Sequence, residues 1–475
     1  MHLREEGVPL RLRRAAFLIC CAAMAAAAPS PARAAERAPA ASSAAADGQK
    51  TVLDTSNSGG TLRTTVNDGG TLDTNNPFFQ SLGSNGRACA SCHVPSTGWT
   101  ISPQEVQQRF NKTDGLDPIF STNDGSNSPR AGVSTTAARR TAFSMLLNKA
   151  VIRVGLPLPR NAEFELVDAD DPYDFASDRE LSLFRRPLPA SNLHFLTTVM
   201  WDGRESYGPM GTEPIRSDAT PEQNSAALFA DLMHQANDAT VGHAEGAPLT
   251  PEQQKAIVRF ETSLATAQQT DRSAGMLEAR GARGVAAYLA AEFFYVTIND
   301  VLGGDVVSPG KFEPNSMTLF DAWTSSSNPR QAAIARGARL FGAVRFDITA
   351  VGGLNDELNA RVIRGSCSTC HDTPNVGNHS VALPIDIGLT DASRRTKDMP
   401  LYTLRNRNTG EIRQTTDPGR AMLTGLWKDI GKFKGPILRG LVSRAPYFHD
   451  GQAADLAAVI DFYDERFDIG FTEQE

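Results

Sequence analysis

The chain is poor in the residues that build disulfide frameworks and aromatic cores: 6 Cys, 8 His and 7% aromatic side chains in 475 residues. Beyond the N-terminal segment no run is apolar enough to span a bilayer, which argues against a membrane-spanning protein. A net charge of −7 argues against nucleic acid as a partner. Two of the few cysteines, Cys20 and Cys21, lie in a stretch with the marks of a secretory signal peptide. Arg11, Arg13 and Arg14 precede an apolar run from Ala15 to about Ala28, and Ala32-Arg33-Ala34 offers a cleavage site. Cleavage there predicts a periplasmic, more acidic mature chain with Cys89, Cys92, Cys367 and Cys370 as its cysteines. Ile19 before Cys20 and Cys20 before Cys21 are not the small residues of a lipoprotein site.

Those four cysteines occur as Cys89-Ala90-Ser91-Cys92-His93 and Cys367-Ser368-Thr369-Cys370-His371. Residues three and four apart on a helical turn share a face, so two thiols and an imidazole can meet one porphyrin edge. At this composition a chance C-x-x-C-H arises about 10⁻³ times per chain. A redox pair would need a surrounding βαβ pattern and a zinc site four clustered ligands, and neither requires histidine after the second cysteine. The motifs therefore predict two covalently bound haem c groups, with His93 and His371 as iron ligands.

The rest reads as mainly α: two cytochrome c-like haem domains with long loops and a short N-terminal arm. The predicted divisions are a signal peptide at 1–34, an arm at 35–75, and haem domains at 76–330 and 331–475. The arm carries a short echo, Gly59–Thr64 and Gly69–Thr74, consistent with a small hairpin. Helices are expected over 102–110 with Ser102 as cap, 221–237, 250–267, 282–295, 329–340 and 453–467. The last has Leu456, Val459, Ile460 and Tyr463 in an i, i+3, i+4, i+7 stripe. Residues 156–189 read as an excursion from the core, 386–417 as loop, and His194 as a core histidine. Downstream of His93 the next methionine and histidine are Met145 and His194, so no strong second ligand is close in sequence. Downstream of His371 the candidates are His379, Met399, Met422, His449 and Tyr463, which spacing cannot rank.

The order of motifs resembles the bacterial dihaem cytochrome c peroxidase and MauG superfamily. The matching pieces are Cys89–His93, Trp201-Asp202-Gly203-Arg204, Phe260-Glu261-Thr262-Ser263-Leu264, Cys367–His371 and Ala445–Gly451. About fourteen residues beyond the last histidine the peroxidases carry a methionine on the second haem, and MauG a tyrosine; here the position is Tyr463. The resemblance thus implies a MauG-like branch, of the BthA type, with a five-coordinate first haem and a His371/Tyr463 second haem. It also implies Trp201 as a bridge through which oxidising equivalents are shared as two Fe(IV) centres. The family's distal glutamine and glutamate fall ten and twenty residues after the tryptophan, where this chain has Gly211 and Pro221. An insertion restores the interval as Gln235 and Glu245, with His243 as competitor. The family's calcium is left open, since Thr141 and Arg444 replace two of its residues.

These implications predict a haem-dependent peroxidase reducing H2O2, served by a small periplasmic donor such as a cytochrome c or cupredoxin. The alternatives are a MauG-like oxidase acting on a protein substrate, a dihaem oxygenase of the rubber-cleaving type, and a plain electron-transfer cytochrome.

Overall fold

The computed structural model describes residues 51–67, 72–206, 219–302, 312–376, 381 and 383–475. The signal peptide, residues 35–50 and 68–71 of the arm, His379 and Gly211 lie outside them.

The fold is mixed α/β and not mainly α: helices take 32% and strands 18%. The expectation failed where Thr-rich and alternating segments carried no helix period. Gly60-Thr61-Leu62-Arg63-Thr64-Thr65-Val66 is one such segment, and its Leu62 and Thr64 point inward as strand alternation requires. It pairs with Val52–Asn57 as a hairpin and with Leu264–Asp271 on its other side. Gly275–Met276 completes this four-stranded antiparallel sheet. The helix expected to reach 267 therefore stops at Ser263, and Leu264 turns extended into the sheet.

A second sheet places Phe164–Asp170 against Leu401–Asn406, which pairs with Ile412–Thr415. Segments read as excursion and loop are thus joined across more than two hundred residues. Leu181–Arg185 is buried throughout and pairs with Ile152–Leu156. Two further short strands, Phe346–Thr349 and Val362–Gly365, precede the second cysteine motif.

The long helices sit where the sequence put them. Ser102 caps Pro103–Thr113 through the Glu105 amide, and Thr220 and Thr250 form capping boxes with Gln223 and Gln253 at the starts of Pro221–His243 and Pro251–Ser263. Pro329–Ala343 and Leu456–Phe467 follow, while the expected helix at 282–295 is only Ala286–Ala290. None of the described helices is long and apolar enough to cross a membrane.

Candidate haem-binding cavities

Each cysteine motif folds as one 3-10 turn, Cys89–Ser91 and Cys367–Thr369, so that the histidine amide bonds back to the first cysteine's carbonyl at 3.0 Å. Each turn opens onto a cavity. The first, about 180 Å3, is bordered by Cys89, Cys92 and His93; the second, about 500 Å3, by Cys367, Cys370 and His371.

His93 is oriented by the β-sheet. Its Nδ1 lies 3.0 Å from the carbonyl oxygen of Trp99, which can only accept, so Nδ1 carries the proton and Nε2 keeps a bare lone pair. Trp99 is fully buried at φ 63°, and its indole N–H donates to Thr64 Oγ1 at 2.9 Å. Thr64 in turn bonds Thr266 across the sheet at 2.8 Å. The four-stranded sheet thus holds the His93 imidazole in this tautomer through Trp99 and Thr64.

Burial pushes the Cys89 and Cys370 thiols up to about 12 and Cys367 to about 11. A disulfide-exchanging pair needs the opposite, a stabilised thiolate. Among the described residues the one metal-like group of three is Glu205, His234 and Asp238, which contains no cysteine. Neither a disulfide-exchanging pair nor a zinc site finds support, whereas the mostly apolar linings suit an apolar group tethered by two thiols.

The C-terminal stripe makes the same case. Leu456 and Ile460 are 39% and 49% exposed, though their spacing predicted packing. With Val459 and Tyr463 they border the second cavity, so the stripe faces a space large enough to take a cofactor. Of the candidate second ligands, Met399 packs with Met145, Val151 and Phe184, and Met422 lies in another apolar cluster. His449 and Tyr463 border the cavity. Burial raises the Tyr463 phenol well above its ordinary value, so a cation must draw the proton off before the oxygen can ligate as an anion.

Trp201 borders both cavities. Its indole N–H donates to Arg186 O at 2.8 Å, and its own carbonyl accepts from Lys434 N at 2.9 Å. Beneath it the fully buried Arg185 reaches Asp202 at 2.5 Å and Asp417 at 2.7 Å, and its guanidinium holds the Asp202 carboxyl well below the usual carboxylate range. His449 lies edge-on to the indole at 6.3 Å between ring centres.

Gln235 borders the first cavity from the Pro221–His243 helix. Glu245, at φ 54° just past that helix, is exposed and stands outside the cavity wall; its carbonyl accepts from the Ser84 amide. His243 borders the cavity, but its Nδ1 is 2.5 Å from Asp124, which also holds Arg87. Two carboxyls border the cavity: Asp124, held by Arg87 and His243, and Glu261, 6% exposed with Oε2 unpartnered, whose pKa burial pushes up to about 8. Sequence reasoning used Glu261 only as part of the Phe260–Leu264 motif. The available signal was a charge four residues after Ile257, on the buried face of a helix.

Three curated relatives match parts of the chain. A protein named cytochrome-c peroxidase IdrP1 from Pseudomonas sp. (strain SCT) is 31% identical over 121 residues, 24% of this chain and 31% of its own. IdrP1 of Denitromonas iodatirespirans, with the same description, is 27% identical over 177 residues, 33% of this chain and 41% of its own. IdrP2 of that organism is 28% identical over 106 residues, 22% and 29% of the two chains. The matched segments therefore span less than half of each relative. The chain is thus similar to proteins named cytochrome-c peroxidase. No family profile and no solved structure matches.

Proposed function

We propose that the protein is a periplasmic two-haem peroxidase that reduces H2O2 to water at the first cavity and exchanges electrons through the second. The observation that carries this reading is Trp201 in the wall of both cavities, each of which opens on its own Cys-x-x-Cys-His turn. The relatives' names support the reaction class. Haem iron at His93, when bound, supplies the redox chemistry of H2O2 + 2 H⁺ + 2 e⁻ → 2 H2O.

The protein's own part is positional and protic. Gln235 offers an amide to a small polar molecule in the first cavity. Glu261 rather than the exposed Glu245 is placed to hold a proton there, and its raised pKa keeps it protonated at neutral pH. Trp201, clamped at both its indole and its carbonyl, provides an aromatic step between the cavities. Tyr463 and His371 would hold the second iron, and an anionic oxygen ligand would lower that centre's potential. A small soluble electron donor completes the cycle.

Low-temperature EPR of the ferric protein, alongside Tyr463→Met, tests the assignment. The expected result is one high-spin and one low-spin haem, with the low-spin signal altered by the substitution and peroxide consumed when a reduced donor is present. Two low-spin signals indifferent to Tyr463→Met, without peroxide consumption, would leave an electron-transfer cytochrome instead.

A further inference from the structure

The wall shared by the cavities holds three cations that, among the described residues, form no ion pair with a carboxylate. Arg186 and Lys434 border both cavities and Arg444 the second, and all three are buried. Arg186 donates to the carbonyl oxygens of Lys149, Ile101 and Arg444. Arg444 reaches only Ile437 O, at 3.4 Å, and its Nε and second terminal nitrogen are buried without partners. Among the described residues the Lys434 ammonium meets no carboxylate, and burial pulls its pKa down to about 7. Beside them His449 is fully buried, with both ring nitrogens unpartnered, stacked on Phe433 at 4.4 Å.

An unpaired buried cation costs several kcal/mol, so three in one wall call for an anion that enters with the ligand. That anion is to come from the cavities, because the protein groups that Arg186 and Arg444 reach are carbonyl oxygens. A c-type haem carries two propionate carboxylates on the edge remote from its thioether bonds, and two haems would bring four. We propose that Arg186, Lys434 and Arg444 form an anion cradle beside Trp201 that receives haem propionates, with His449 as a further hydrogen-bond donor. The cradle orients each porphyrin with its carboxylate edge toward Trp201, and it offsets propionate charge that would otherwise favour the ferric state. It rests on the two-haem part of the proposed function and is independent of the peroxide chemistry.

The test uses the full-length haem-loaded protein, Lys434→Met and Lys434→Arg, with haem content checked by intact mass. Spectroelectrochemistry of Lys434→Met should show the midpoint potential of at least one haem falling by about 59 mV, a tenfold change in its oxidised-to-reduced ratio. The propionate bending bands in resonance Raman should move with it, and Lys434→Arg should restore both. If Lys434→Met fails to assemble with two haems, Arg444→Met carries the same readings. Two-haem variants with unchanged potentials and unchanged propionate bands overturn the cradle and leave the peroxidase reading standing. A wild-type chain without haem overturns both.

Discussion

Glu261 shows how one side chain's environment sets its chemistry. Burial raises its pKa from 4.5 to about 8, and the folded protein holds a proton that the unfolded chain releases above about 4.5. Stability is therefore fully present below the unfolded value and is lost as pH rises toward 8, by at most about 1.36 kcal/mol per pH unit. Denaturant unfolding at pH 5 and pH 8 should show that slope reduced in Glu261→Gln, and infrared spectra should lose a protonated-carboxyl band. At the second cavity Tyr463→Met should raise the reduction potential of the associated haem, measured by redox titration, because a neutral thioether stabilises ferric iron less than a phenolate oxygen. The two Cys-x-x-Cys-His turns were legible because their motifs are local. Glu261 was not, because the direction of its side chain depends on how its helix packs.

At the scale of elements, caps and helix starts followed from a few residues, while strands followed from partners far away in sequence. Thr250 and Gln253 close the N-terminus of the helix that carries Glu261. Thr250→Ala should cost about 1 kcal/mol in denaturant unfolding, with a smaller loss for Thr250→Gly. The segment after Ser263 continued the helical composition of its predecessor but became a strand, because Gly60–Val66 presents a pairing edge. The Leu456–Tyr463 stripe was visible as a period of 3.6. What it faces was not, because a stripe that covers a core and one that lines a cavity are written alike.

At the scale of the molecule, Arg185 ties Asp202 of the tryptophan turn to Asp417. Arg185→Met would leave two buried carboxylates without their shared cation and should destabilise the protein by about 3–5 kcal/mol in thermal or denaturant unfolding. The same variant should disturb communication between the cavities, since Trp201 precedes Asp202 directly. The sequence by itself determined the two Cys-x-x-Cys-His turns and where most of the long helices start, because each depends on residues within one or two turns of chain. Only the tertiary structure decided that the fold is mixed, that Trp201 borders both cavities, and that Glu261 rather than Glu245 lies inside the first. It also placed in the wall between the cavities three buried cations that form no ion pair among the described residues. Those outcomes depend on which distant segments exclude water together, and a linear pattern does not encode that pairing.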